Sequence, residues 1–148
     1  MKIAIIGTGN LGKSIAKGLI TNNAITSLYL TKRNLGSIEE FDGYKNVFLT
    51  KDNQEAVQKS DILIFAVQPA SFEMILNEIK QLLTEKHVII STITGFLIPK
   101  IEKIIGENQF IIRAMPNTAI AVGKSMTCLC SNGNGENRLK IAEAIFNR

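Results

Sequence analysis

Gly7-Thr8-Gly9-Asn10-Leu11-Gly12 joins the apolar run Lys2–Ile6 to a segment with helical spacing. Three glycines between a strand and a helix suit a dinucleotide pyrophosphate. The first glycine permits a tight turn, the second lets the backbone approach the phosphates, and the third lets helix and strand pack closely. The helix N-terminus then offers free N–H groups and a partial positive charge. Gly7 to Ser14 also satisfy GxxxxGK[ST], the pattern of a loop that wraps a nucleoside triphosphate with a lysine and a magnesium-binding serine. That reading needs a strand ending in an Asp for the metal, and Ile62–Val67 is followed by Gln68-Pro69. Context therefore favours the dinucleotide. The second run ends Thr31-Lys32-Arg33-Asn34, with no acid before Glu39. An NAD-binding domain carries an acid there to grip the ribose 2′-hydroxyl. Thr31, Arg33 and Asn34 would instead donate to a 2′-phosphate, so the expected cofactor is NADP (as NADPH), with NAD the second choice.

These residues need elements to hold them. Apolar runs recur at Lys2–Ile6, Ser27–Thr31, Val47–Thr50, Ile62–Val67, Val88–Thr92, Phe110–Ala114 and Met126–Cys130. Several are apolar on consecutive residues, as in strands buried on both faces. Leu11, Ile15, Ala16, Leu19 and Ile20 form one helical stripe, and Phe72, Ile75, Leu76, Ile79, Leu82 and Leu83 a second. Further helices are expected from Asp52 or Asn53 to Lys59 and over Ile98–Ile105 and Glu136–Phe146. Alternating strands and helices predict an α/β fold, a doubly wound, mainly parallel sheet of the Rossmann-like dinucleotide-binding kind.

Composition narrows the function. The 148 residues carry a net charge of +4, one His and two Cys. All of the positive excess lies in residues 1–38, which contain Lys2, Lys13, Lys17, Lys32 and Arg33 and no acid. Aromatic residues make up 6%, so a small anionic ligand fits better than nucleic acid. No apolar run is long enough to cross a membrane as a helix. Disulfide scaffolds, metal-ligand spacing and nucleophilic triads are absent from the sequence pattern, and a cytoplasmic location is the expectation. His87 reads as a surface residue, and Cys128 and Cys130, two apart on a strand, as packed thiols sharing one face.

Four stretches together resemble pyrroline-5-carboxylate reductase: Gly7–Gly12, Val67-Gln68-Pro69, Ser91-Thr92-Ile93-Thr94-Gly95, and Arg113-Ala114-Met115-Pro116-Asn117-Thr118. Val122-Gly123 and Met126-Thr127 extend the last and most specific of them. The resemblance implies an oxidoreductase of proline biosynthesis, which transfers hydride from NADPH or NADH to the cyclic imine 1-pyrroline-5-carboxylate to give L-proline. It implies a cofactor site of Ile6, Gly7, Thr8, Gly9, Asn10, Leu11 and Gly12 at the pyrophosphate, Thr31, Arg33 and Asn34 at the 2′-phosphate, and Asn53 at the adenosine. Ala66, Val67, Gln68, Pro69, Thr92, Ile93, Thr94 and Asn117 would line the nicotinamide half. Asn117 and Thr118 are the nearest catalytic candidates, and no metal is implied.

Asn53 reads equally as a helix cap. Asn117 could also serve a turn, although its place inside the signature favours ligand contact. Departures from the family are Gln68 for a usual Lys, Ala119 for a usual Pro, and Gly123-Lys124-Ser125. Family members continue into a helical dimerisation domain with the main catalytic groups. The expectation is therefore an incomplete cofactor domain of a homo-oligomer, which binds NADPH without turnover and contacts neither nucleic acid nor membrane. Alternatives are another NADP-dependent reductase with this domain, a triphosphate-binding enzyme, and a non-catalytic NADP-binding module.

Overall fold

A computed structural model describes residues 1–23, 25–117, 119, 121 and 126–146. Seven strands form one sheet: β1 (Lys2–Ile6), β2 (Ser27–Thr31), β3 (Val47–Thr50), β4 (Ile62–Phe65), β5 (Val88–Ser91), β6 (Phe110–Met115) and β7 (Cys128–Ser131). Their order is β3-β2-β1-β4-β5-β6-β7. Every pairing is parallel except β6 with β7, which is antiparallel. The order reverses between β1 and β4, which opens a crevice outside the carboxyl ends of those strands. The Rossmann-like α/β expectation is met.

Among the described residues, five α-helices cover the sheet: α1 (Asn10–Thr21), α2 (Asn53–Gln58), α3 (Pro69–Ile79), α4 (Ile98–Ile105) and α5 (Leu139–Phe146). Consecutive strand residues point to opposite faces, and both faces are buried. Ile3, Ile5, Leu28, Leu30, Ile64, Ile90 and Ile112 pack with Ile15, Ala16 and Leu19 of α1 and with Ala142, Ile145 and Phe146 of α5. Ala4, Ile6, Leu63, Phe65, Ile89 and Ile111 pack on the other side with Val57 of α2, Phe72 and Leu76 of α3, and Ile101 of α4. Phe72 sits within that second layer, its ring 5.2 Å from the Phe65 ring and 4.9 Å from that of Phe96.

Local sequence explains most boundaries. Pro69 and Pro99 lie in the first turns of α3 and α4, where a missing N–H costs nothing. Gly106 ends α4 at φ +95°. Several expected bounds move. β4 stops at Phe65 and β5 at Ser91, whereas β7 begins only at Cys128. The long apolar stripe from Phe72 to Leu83 breaks at Ile79, and a short 3-10 turn, Lys80–Leu82, follows. Residues Leu35–Phe41 form a 3-10 helix that burial of Ile38 and Phe41 holds against the sheet.

Two side-chain expectations are corrected. His87 is buried, with 6% of its surface exposed. Its Nδ1 accepts from the Thr84 N–H at 2.9 Å, and its Nε2 lies 3.3 Å from the Val57 carbonyl. These contacts tie the start of β5 to α2. Cys128 and Cys130 are free and exposed rather than packed. The edge strand β7 buries the Leu129 side against the core that includes α5, and the thiols point from the other face.

Candidate functional site

The loop after β1 gives each glycine a separate reason to be glycine. Gly7 has φ +89°, and a Cβ there would collide with Val67. A Cβ on Gly12 would stand 2.7 Å from the Gly7 carbonyl oxygen. Gly12 thus presses α1 against the loop. Around Gly9 a Cβ would meet nothing within 4 Å. Its α-carbon faces open space at the mouth of the crevice, where a ligand can approach the backbone. The first bond of α1 runs from the Lys13 N–H to the Gly9 carbonyl, 2.8 Å, and no side chain caps the helix. The N–H groups of Asn10, Leu11 and Gly12 precede the helix ladder and carry the positive end of its dipole.

Geometry disposes of the triphosphate reading. α1 begins at Asn10, so Gly12, Lys13 and Ser14 are already helical. Only Gly7, Thr8 and Gly9 remain as loop, too few to wrap a phosphate. Ser14 donates back to the Asn10 carbonyl. Lys13 Nζ is held by Glu40 at 2.8 Å, and Lys17 Nζ takes the other Glu40 oxygen at 2.8 Å. Those cations hold the side chain of Glu40 at a pKa of about 2. This two-lysine clamp ties α1 to the 3-10 helix. Sequence reading missed it, since Glu40 lies more than twenty residues along the chain from either lysine and the 3-10 helix shows no periodicity.

At the second strand, Thr31 is buried and locks the glycine loop. Its Oγ1 accepts from the Gly7 N–H at 3.2 Å, and its carbonyl accepts from the Thr8 N–H at 2.9 Å. Thr8 is buried too, and among the described residues its hydroxyl has no partner. Arg33 and Asn34 are exposed beyond the strand. The Asn34 Oδ1 accepts from the Gly36 N–H, 3.2 Å, and starts the 3-10 helix. Arg33 makes no ion pair or side-chain hydrogen bond with the described residues, so its guanidinium is available.

The cap of α2 is Asp52, not Asn53: its Oδ1 accepts from the Gln54 and Glu55 N–H groups at 2.8 and 3.2 Å. Asn53 is thereby released from the capping role that the sequence allowed it. Ala66 and Val67 are partly exposed after β4, and Gln68 and Pro69 are exposed at the start of α3. The Ala66 N–H donates to the Ile6 carbonyl, 2.9 Å, which fixes this segment beside the glycine loop.

After β5, the Thr92 hydroxyl donates to the Phe65 carbonyl at 2.7 Å, Ile93 is buried, and Thr94 is exposed. The Asn117 Oδ1 accepts from the Ala119 N–H, 2.9 Å, closing an Asx turn after β6. Thr118, Val122, Gly123, Lys124 and Ser125 lie outside the described residues.

All these segments leave the carboxyl ends of parallel strands, so one edge of the sheet gathers them. Among the described residues there is no group of three or more His, Cys, Asp or Glu able to hold a metal. No helix among them is long and apolar enough to cross a membrane.

The family model described as NADP oxidoreductase coenzyme F420-dependent matches residues 2–95. The chain belongs to that family. Within this NADP oxidoreductase family the similarity is to pyrroline-5-carboxylate reductases, as the four motifs implied. Pyrroline-5-carboxylate reductase 1 of Dictyostelium discoideum is 40% identical over 98% of this chain and 29% of its own length. The solved pyrroline-5-carboxylate reductase of Coxiella burnetii is 33% identical with a TM-score of 0.90, over 99% of this chain and 55% of that one. The Plasmodium falciparum pyrroline carboxylate reductase, solved with NADP bound, is 29% identical with a TM-score of 0.85, over 99% and 54%. The chain thus spans about half the length of these solved relatives, and less of the Dictyostelium protein.

Proposed function

We propose that this chain is the NADPH-binding part of a pyrroline-5-carboxylate reductase, which reduces the cyclic imine 1-pyrroline-5-carboxylate to L-proline. The observation that carries the reading is the division of labour among Gly7, Gly9 and Gly12 at an uncapped helix in the β1–β4 crevice. Gly9 and the N–H groups of Asn10 and Leu11 would hold the pyrophosphate, with Ile6, Thr8 and Gly12 shaping the loop. Arg33 and Asn34 would take the 2′-phosphate, steadied by Thr31, and Asn53 the adenosine. Ala66, Val67, Gln68, Pro69, Thr92, Ile93, Thr94 and Asn117 would form the nicotinamide half, with Asn117 and Thr118 nearest the imine.

NADPH supplies the hydride when bound. The chain's own task is orientation and exclusion of water. A cyclic imine is readily protonated near neutral pH, so holding its C=N carbon in place supplies much of the rate. A homo-oligomeric whole protein belongs to the same proposal and rests on the resemblance; a cytoplasmic location belongs to it too and rests on the sequence pattern.

Thermal-shift titrations with NADPH, NADH and Mg-ATP test the cofactor. NADPH is expected to stabilise the chain most and Mg-ATP not at all; stabilisation by Mg-ATP alone would sink the reading. Arg33→Ala is expected to weaken NADPH binding ten- to a hundredfold, as loss of a charge-assisted contact of about 1.5–3 kcal/mol predicts, and to leave NADH nearly unchanged. Equal losses for both cofactors would remove Arg33 from the 2′-phosphate site. Proline-dependent reduction of NADP⁺ by the full-length protein tests the reaction.

A further inference from the structure

We propose that the exposed face of the β6–β7 pair binds a Cu(I) ion through three sulfurs, those of Cys128, Cys130 and Met115.

Cys128 and Cys130 are both free and exposed. Cysteine is among the most buried residue types, and its reactivity or metal binding, more than its packing, decides where it is kept. The two thiols lie two positions apart on β7 and so share one face. Leu129 between them packs into the layer of α1 and α5, which turns the thiols to the α3–α4 side of the sheet. On β6, Ile112 and Ala114 belong to the α1–α5 layer and Ile111 to the other. Alternation then puts Arg113 and Met115 on the face of the thiols.

Register brings the sulfurs together. In the antiparallel pair Met115 stands opposite Cys128, and Arg113 opposite Cys130. Cβ atoms of such opposed residues are about 4.5–5.5 Å apart. The Arg113 Nη2 lies 3.9 Å from the Met115 sulfur, so the thioether leans toward the Cys130 rung rather than away from it. Met115 is 40% exposed, and all three side chains are open to an ion from solvent.

The spacing suits a metal and not a disulfide. Residues i and i+2 of a strand are about 7 Å apart, whereas a disulfide needs Cβ atoms about 3.5–4.5 Å apart. A metal bridged by two bonds of about 2.3 Å holds its sulfurs up to about 4.6 Å apart, against about 2 Å in a disulfide. The longer bridge covers the difference.

The donor set selects the ion. Thiolate and thioether are soft ligands that favour Cu(I). Zinc takes four ligands from thiolate, imidazole and carboxylate, and among the described residues no group of three or more His, Cys, Asp or Glu supplies them. On binding, each thiol releases its proton to solvent and forms a Cu–S bond. The thioether donates a lone pair, and no electron changes hands. The bis-thiolate centre carries one negative charge, which the guanidinium opposite Cys130 offsets.

The test titrates the reduced chain with Cu(I) without oxygen, in ascorbate and against bicinchoninate, a coloured Cu(I) chelator. The chain is expected to withdraw one equivalent of Cu(I) with no change in sedimentation, and Zn(II) is expected not to displace it. X-ray absorption at the copper edge should count three sulfur neighbours, and two in Met115→Leu. Cys128→Ser and Cys130→Ser should each weaken Cu(I) binding by more than about a hundredfold, and Met115→Leu by roughly tenfold. The metal-free urea midpoint of each variant should match the wild type.

The site is overturned by a chain that withdraws no copper, or by full affinity in either Ser variant. Nitrogen or oxygen neighbours at the copper, fewer than three sulfurs in the wild type, or one copper shared by two chains overturns it equally. Should a variant lose its metal-free urea midpoint, the sulfur count of the wild type decides alone.

Discussion

At the β1–β2 end of the carboxyl edge, the Gly7 and Thr8 N–H groups are both taken by Thr31, and Lys13 and Lys17 are both taken by Glu40. At the β5–β6 end, Thr94 is exposed and Arg113 carries an unmatched Nε–H. The same edge is therefore built in two ways. A turn that must present backbone to a large anionic cofactor is fixed in advance by internal bonds. At the other end, the exposed Thr94 and the Arg113 Nε–H stand outside such a network. Preorganisation lowers the ordering cost of binding at the first end.

The glycine loop offers the strongest way to break this comparison. Gly7→Ala forces a side chain into a left-handed conformation and into Val67. The backbone term is about 1–2 kcal/mol and overpacking adds about 1–3 kcal/mol. Denaturant unfolding should therefore show a loss of roughly 2–5 kcal/mol. Gly9→Ala meets no neighbour and should change stability by less than about 0.5 kcal/mol, yet weaken NADPH binding at least tenfold. If both variants lose stability equally, the loop is only a turn, and its open face has no ligand role.

Next in size is Asn132, which fixes the far end of the β6–β7 pair. Its Oδ1 accepts from Ile111 and Gly135 N–H groups at 3.1 and 2.8 Å, and its Nδ2 donates to Glu102 and the Gln109 carbonyl at 2.9 and 3.0 Å. Asn132→Ala takes the acceptor from the buried Ile111 N–H, while the Gly135 N–H keeps the Asn132 carbonyl at 3.0 Å, and should cost about 1–3 kcal/mol in urea unfolding. NADPH affinity should stay within twofold, since nothing at this end faces the crevice. A matching loss of cofactor affinity would show that the two ends of the sheet are coupled.

A smaller effect separates Asp52 from Asn53. Asp52→Ala removes the α2 cap and should lower stability by about 1 kcal/mol. Asn53→Ala should leave stability unchanged and weaken NADPH binding. Should the two variants behave alike, Asn53 has no ligand role.

Much of this was legible before any coordinates. Strands buried on both faces announce themselves as unbroken Ile, Val and Leu runs, and the glycine spacing encodes the turn, the approach and the packing. The cap of α2 was not legible, because Asp52 and Asn53 are both good cap residues and only backbone geometry chooses between them. His87 follows Glu85-Lys86 and so looked exposed; its burial depends on Val57, 30 residues away. The thiols of Cys128 and Cys130 were placed on one face correctly, but their exposure depends on β7 being an edge strand. For His87 and the two thiols the missed term is a long-range contact or a sheet position, which local pattern does not carry.

The least effect is expected at the Lys13–Glu40–Lys17 clamp, and its sign is informative. Glu40 is exposed, and isolated surface ion pairs contribute little because water and salt screen them. Here one carboxylate serves two cations, and its pKa falls to about 2 from an ordinary 4.5. A carboxyl group with a lowered folded-state pKa adds stability that is fully present above its unfolded value. That contribution fades as the pH falls from 4.5 toward 2. Glu40→Gln should therefore be slightly less stable than the wild type at neutral pH. The gap should close through that acid window and shrink in high salt. Because the clamp joins α1 to the helix that follows Arg33 and Asn34, the variant should also lose a little preference for NADPH over NADH. A stability gap that persists at pH 2 would mean that Glu40 acts through packing. An unchanged cofactor preference would confine the clamp to α1 and leave Arg33 positioned by Thr31 and Asn34 alone.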